Sequence, residues 1–330
     1  MDFRTAFPSP HYSHKLSYEK AVFSMGSCFA GLLGDRLSAG KFNVLANPFG
    51  IIYNPLSLVK LLSSCMLGEA LDKQGVLTYQ SRYFHYRLHS SFHAPSEELL
   101  HEQFSATSQQ VMDHLTRCSH VFLTWGTAYS YEHTEWKIPV ANCHKQPTAF
   151  FSKRLLHTSE MEEAFRGFQE LLLRINPDVR VVVTVSPVRH IKDGIPENQL
   201  SKSTLRVLCH QLETTYGFVD YFPSYEWMMD DLRDYRFYKA DMIHPSEVAE
   251  DYIWTKFSDS FMEPAVRKKY ERVIKMRRSM SHRPFYPGSN EHQRFLAKLI
   301  QEMEDLQPEI DFSSEIAAIQ SKMLDCGGDA

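Results

Sequence analysis

The stretch Ala21-Val22-Phe23-Ser24-Met25-Gly26-Ser27-Cys28-Phe29-Ala30 decides the fold. A compact apolar run ends at a glycine and two small nucleophilic side chains, which reads as strand, tight turn and helix start. The apolar residues suit a buried parallel strand, and glycine permits the sharp reversal that a side chain would obstruct. Leu32, Leu33 and Leu37 then recur at helical spacing. Gly31 and Gly34 let this helix approach its sheet closely, at some cost in helix propensity. Cys28 therefore falls near a helix N-terminus, where unpaired amides and the helix dipole favour a thiolate or an oxyanion.

Outward from this unit, strands and helices alternate. Phe42-Asn43-Val44-Leu45 reads as a short strand running into the turn-rich Asn47-Pro48-Phe49-Gly50, and Leu56 to Leu67 as a helix with Ser57 near its cap. The alternation of Phe84, Tyr86 and Leu88 with Tyr83, His85 and Arg87 predicts a small hairpin or excursion between Leu77 and Leu88. A helix over Glu97 to Arg117 precedes the buried strand Val121 to Trp125, which delivers Gly126-Thr127-Ala128 to the sheet edge. Tyr129 to Lys153 reads as a long irregular loop, Thr158 to Arg174 as a well-capped helix, and Val179 to Val185 as a β-branched strand buried on both faces. That strand ends at Ser186-Pro187-Val188-Arg189-His190. A helix from about Lys202 to Thr215, a strand at Phe218 to Tyr221, and a helix from Pro245 to about Phe261 follow.

Alternating strands and helices imply right-handed crossovers and a parallel sheet. Five strands, near residues 21, 42, 121, 180 and 218, predict a flavodoxin-like three-layer α/β/α sandwich, although periodicity does not fix their order. After Met262 the composition shifts. Val266 to Met280 is helical and basic, Pro284 and Pro287 follow, and Phe295, Leu299, Met303 and Leu306 mark an amphipathic helix. Residues 1–262 are thus expected to form the α/β domain and 263–330 a helical extension. The basic run from Arg267 to Arg278 is expected to pair with the acidic residues Glu302, Glu304 and Asp305.

The chain has 330 residues, 43% of them hydrophobic, ample for a packed core, and a net charge of −4 gives no overall reason to expect nucleic acid as a partner. Met1 to His14 lacks the apolar core of a signal peptide and no apolar run is long enough to span a bilayer, so a cytoplasmic protein is expected. The cysteines at 28, 65, 118, 143, 209 and 326 form no Cys-x-x-Cys pair, which argues against a disulfide framework and a structural zinc site. His85, His89 and His93 have a suggestive spacing, but the local alternation is strand-like and no carboxylate follows until Glu97, so a metal is not expected.

The residues Gly26-Ser27-Cys28-Phe29-Ala30 spell the signature of the GSCFA family, and the chain resembles that family over roughly residues 20 to 260. Asn47-Pro48-Phe49-Gly50, Ser186-Pro187-Val188-Arg189 and Asp241-Met242-Ile243-His244-Pro245 fall in the family's order. The family looks like a remote branch of the SGNH (GDSL-type) hydrolases. That resemblance implies an esterase or acetyl esterase acting on a small-molecule or glycan ester, with carbohydrate or cell-envelope material as the expected source, without a cofactor. The alternatives are an O-acyltransferase on the same site and a catalytically silent binding protein.

The chemistry centres on a nucleophile and a base pair. Three residues apart on one loop, Asp241 can orient His244, leaving the other ring nitrogen to take a proton from Cys28 or Ser27. A doubly wound sheet brings such distant segments together at the carboxyl ends of its strands. The bland alternative is a helix cap at Asp241 and a helix-preceding His244. Register with the SGNH motif Gly-Asp-Ser puts Cys28 at the serine position; an inert Cys28 beside a reactive Ser27 is the alternative. The resemblance also implies oxyanion donors at the Cys28 amide, the Gly50 amide and a side chain of the third block. Where SGNH proteins carry Gly-x-Asn, however, Gly126-Thr127-Ala128 offers no amide side chain, leaving Thr127 or Asn142 as substitutes. Asn47 is either a site residue or a turn residue. Arg189 is suited either to a substrate anion or to an ion pair with a loop acid, and Lys202 and Arg206 read most simply as a solvated helix face.

Overall fold

A computed structural model describes residues 5, 7–282, 285–286 and 289–325, the side chains of 324 and 325 excepted. Pro284, Pro287, Cys326 and residues 1–4 and 6 of the N-terminal stretch lie outside the described residues.

In chain order the elements are β1 (Ala21–Gly26), α1 (Cys28–Ala39), β2 (Val44–Ala46), α2 (Pro55–Met66), β3 (Val76–Tyr79), β4 (Arg82–His85), α3 (Glu97–Arg117) and β5 (Cys118–Trp125). Next come β6 (Tyr129–His133), β7 (Pro139–Val140), β8 (Phe151–Leu155), α4 (Thr158–Ile175), β9 (Arg180–Val185), α5 (Ile195–Thr215) and β10 (Val219–Tyr221). The chain closes with α6 (Ser224–Glu226), α7 (Glu247–Phe261), α8 (Pro264–Ser281), α9 (Asn290–Glu304) and α10 (Ser313–Asp325). The central sheet is parallel, in the order β10-β9-β5-β1-β2. This is the doubly wound order, reversing at β1, that places ligands beyond the carboxyl ends of the strands.

Successive residues of a strand face opposite sides of a sheet, and here each side has its own core. Phe23, Met25, Val121, Leu123, Val181 and Val183 pack with α2, α3, α4 and α5 through Leu58, Phe104, Phe165 and Leu205. Val22, Phe122 and Val182 pack on the other face with α1 and α7 through Phe29, Leu33, Phe257 and Phe261. The result is the expected three-layer sandwich.

A third cluster joins Val273 and Met276 of α8 to Leu296, Leu299 and Met303 of α9, with Phe312 and Ile319. Among the described residues the basic side chains of α8 make no ion pair with Glu302, Glu304 or Asp305. Arg267 pairs with Asp259 and Glu271, and Lys269 with Glu309. Arg277 donates to the Ser38 and Ala39 carbonyls at the end of α1, a favourable place for a cation beside a helix C-terminus. Among the described residues no helix is long and apolar enough to cross a membrane.

Several boundaries differ from the sequence reading. Residues 129–153 are not irregular: β6 pairs antiparallel with both β7 and β8 in a separate small sheet. Asn54, not Ser57, caps α2, its side chain accepting from Ser57 N at 3.3 Å. The helix expected from Lys202 starts at Ile195, and the hairpin strand ends at His85. Ser246 caps α7, so Asp241 is no helix cap.

Candidate functional site

The turn after β1 is held from two sides. Gly26 has φ +143°, and a Cβ there would lie 2.0 Å from the Thr124 carbonyl oxygen, so only glycine lets β1 run this close to β5. Ser27 N donates to the same carbonyl at 2.9 Å. Ser27 itself is 1% exposed and is the N-cap of α1, its Oγ accepting from Phe29 N at 3.2 Å. Cys28, the first residue of the helix, is partly exposed, and its N–H meets no acceptor among the described residues. The adjacent hydroxyl and thiol therefore differ in kind: one completes the helix end, the other lies open at it.

Asn47 braces this turn from the neighbouring strand end. Its φ is +43°, its Oδ1 accepts from Gly26 N at 2.8 Å, and its Nδ2 lies 3.4 Å from the Ser27 carbonyl. Gly50 departs from expectation as an oxyanion donor, because its N–H is directed at the Asn47 carbonyl, 2.8 Å away. Its φ of +75° and a Cβ position 2.5 Å from His89 Cβ explain why glycine stands there.

Both substitutes for the missing amide side chain are engaged in local structure. Thr127 is buried, shares a hydrogen bond with Ser201 at 3.1 Å and accepts from Tyr129 N at 3.1 Å. Asn142 closes a local turn by accepting from His144 N at 2.8 Å, and its own N–H reaches the Tyr86 carbonyl. Instead, the side chain that meets Cys28 is Tyr53, whose Oη lies 3.7 Å from Sγ. Burial, then the neighbouring thiol, pushes the phenol's pKa upward. Tyr53 stood in none of the motifs. Its signal was its place between Gly50 and the Asn54-Pro55 helix start.

The second half of the site is the loop before α7. His244 Nδ1 and Asp241 Oδ2 are 2.7 Å apart, and Asp241 Oδ1 accepts from the N–H groups of Ile243 and His244 at 2.8 and 3.0 Å. These bonds hold the Asp241 carboxyl well below the ordinary carboxylate range, the backbone bond from His244 contributing most. Arg189 anchors the loop to the end of β9. Its N–H donates to the Ile243 carbonyl at 3.1 Å and its guanidinium to the Met242 carbonyl at 2.9 Å, over the rings of Tyr235 and Tyr238. Among the described residues Arg189 makes no ion pair with a loop acid; it fixes the loop that carries the dyad.

His190, the residue after Arg189, has its ring centroid 5.6 Å from that of Tyr53. Burial, then the nearby Lys202 charge, lowers the His190 pKa. Among the described residues no hydrogen bond joins His244 to Cys28 or Ser27. Lys202 was read as a surface lysine, yet it is 1% exposed and donates to the Ser186 carbonyl at 2.8 Å. Asn198, Ser201, Leu205, Leu208 and Leu212 are buried on the same helical face, a spacing that did carry the signal. His85, His89 and His93 turn to separate partners, Asp72, Ser91 and Arg82.

Fold and site together define a doubly wound α/β protein that presents a thiol at a helix N-terminus and an Asp-x-x-His loop along the same sheet edge. The chain belongs to the GSCFA family: the family's profile matches residues 21–257, and that of the GSCFA domain protein C-terminal domain matches residues 273–325. No curated protein matches the sequence.

Proposed function

We propose that the protein is an acyl-transfer enzyme, an esterase in its simplest form, with Cys28 as nucleophile and Asp241–His244 as the base pair. The observation that carries the reading is the contrast at the head of α1. Cys28 is partly exposed beside its own unspent N–H, while Ser27 is buried and committed as the cap. The hydrogen-bonded Asp241–His244 pair, docked by Arg189 at the end of β9, supports it.

In this mechanism Asp241 holds His244 Nδ1–H, and His244 Nε2 takes the Cys28 proton. Sulfur attacks the ester carbonyl, the tetrahedral oxyanion collapses, and the C–O bond breaks. The departing alkoxide receives the proton from His244, leaving a thioester on Cys28. Water, deprotonated by His244, adds to the thioester; the C–S bond then breaks and releases the acid. An acceptor hydroxyl in place of water makes the same site an O-acyltransferase. The reading requires the 241–244 loop to bring His244 Nε2 to hydrogen-bond distance of Sγ when substrate binds, a tightening common between resting and reacting enzymes. A small-molecule or glycan ester substrate follows from the resemblance to SGNH hydrolases, and a thiol nucleophile suits a reducing compartment such as the cytoplasm.

A cleft that binds without chemistry is favoured by one observation, the missing hydrogen bond between His244 and Cys28. Hydrolysis of p-nitrophenyl acetate by the wild type, Cys28→Ala and His244→Ala separates the two. Turnover lost in both variants supports the enzyme, and a wild type no faster than Cys28→Ala supports the silent cleft.

A further inference from the structure

We infer that the Tyr53 hydroxyl is the second oxyanion donor of this site, in place of an amide side chain from the third block, and that Gly126 is glycine in order to admit the Tyr53 ring. The assignment rests on the acyl-transfer reading and identifies a catalytic residue within it.

A tetrahedral intermediate on Cys28 carries its negative oxygen one bond from the carbon attached to Sγ. Donors that stabilise it must surround the sulfur before reaction begins, because fixed dipoles need no reorganisation as charge develops. The Cys28 N–H, open at the head of α1, is one such donor. The other groups that the sequence offered are engaged elsewhere: Gly50 N–H on the Asn47 carbonyl, Thr127 with Ser201 and Tyr129, and Asn142 in a local turn, where its Oδ1 accepts from His144 N. Tyr53 Oη, 3.7 Å from Sγ, stands where an oxygen built on the sulfur's acyl carbon comes within hydrogen-bond reach.

The ring is held there by backbone and by the third block itself. The Tyr53 carbonyl accepts from Gly126 N at 2.9 Å and Thr127 N at 3.3 Å. The next residue, Asn54, is fixed at both ends of its side chain, capping α2 and donating to the Tyr129 carbonyl at 3.0 Å. A Cβ at Gly126 would lie 2.7 Å from Tyr53 Cδ1 and 3.3 Å from its Cβ, so any side chain there displaces the phenol. Third-block glycine thus serves oxyanion binding indirectly, by making room for a donor from a different loop.

Burial keeps the phenol protonated at neutral pH, which suits a donor and disqualifies it as the base that takes the thiol proton. In the step itself the Tyr53 proton stays on oxygen: the phenol donates a hydrogen bond that shortens as the carbonyl oxygen gains charge, and the thiol proton goes to His244.

Two reactions of Cys28 separate this role from a merely structural one. Acylation by p-nitrophenyl acetate passes through an oxyanion; alkylation by iodoacetamide displaces iodide at a saturated carbon and forms none. In Tyr53→Phe, single-turnover acylation is expected to fall about 100-fold or more, with the alkylation rate and melting temperature unchanged. Gly126→Ala is expected to show the same split. Wild-type acylation in Tyr53→Phe, or acylation and alkylation falling in parallel, overturns the assignment while leaving the acyl-transfer reading in place. A wild type that alkylates at Cys28 but never acylates overturns both.

Discussion

Replacing Lys202 with methionine tests whether the segment after β9 rests on a buried amine. Lys202 is 1% exposed, donates to the Ser186 carbonyl at 2.8 Å, and lies with its Nζ 5.8 Å from the centre of the Tyr225 ring. Loss of hydration lowers its pKa from 10.5 to about 7. Above pH 7 the folded amine is therefore neutral while the unfolded chain's is still charged, so unfolding takes up a proton. Stability then rises with pH by at most ~1.4 kcal/mol per pH unit, until the unfolded lysine also loses its charge near its ordinary pKa. Below pH 7 both states are protonated and Lys202 adds no slope, but the full cost of the buried charge is present. Methionine fills much of the same volume and abolishes the titration, at a cost of ~1–3 kcal/mol for the Ser186 carbonyl left without this donor. The pKa of His190, the neighbouring titratable ring, is lowered by burial and then by the Lys202 charge. Urea unfolding of both proteins from about pH 6 to about pH 9.5 gives the stability difference directly, with other titrations cancelling. The difference is expected to be level up to pH 7 and then to move in favour of the wild type. A difference that stays level across the range refutes the buried-charge argument.

Ser27→Ala removes the N-cap of α1 and is expected to cost about 1 kcal/mol of stability, with turnover and Cys28 alkylation retained. Turnover abolished as completely as in Cys28→Ala would move the nucleophile to Ser27. Arg189→Met frees the Met242 carbonyl and loosens the dyad loop, so kcat is expected to fall about tenfold or more while iodoacetamide still alkylates Cys28 at the wild-type rate. Unchanged kcat would show that the loop needs no such anchor.

What could be read from the sequence was what periodicity and punctuation encode. The valine run ending at Val185 yields β9 because a strand buried on both faces needs no alternation. Strands alternating with helices gave the parallel sheet, but the order β10-β9-β5-β1-β2 depends on which helices cross to which face, and no local pattern states that. The sheet of β6, β7 and β8 was missed because its strands are two to five residues long, contain Pro139, and mix buried with exposed positions irregularly.

The candidate site divides in the same way. Asp241 and His244 were legible because three residues on one loop suffice for the 2.7 Å bond between them. Gly50 and Thr127 are expected from the sequence as oxyanion donors and Arg189 at a substrate anion or a loop acid, whereas their hydrogen bonds go to Asn47, Ser201 and Met242. Such bonds depend on where three separate loops stop beyond the sheet. Tyr53 belongs to that unread class: only the fold brings its hydroxyl to the thiol and its ring against Gly126.

The most direct test of the central claim is intact-protein and peptide mass spectrometry of the wild type and Cys28→Ala, acid-quenched during reaction with p-nitrophenyl acetate. The account predicts an added acetyl group on the peptide carrying Cys28, formed within turnover, hydrolysed afterwards, and absent in Cys28→Ala. An unmodified Cys28 in a protein that turns the ester over, or an acetyl group on Ser27, would contradict it.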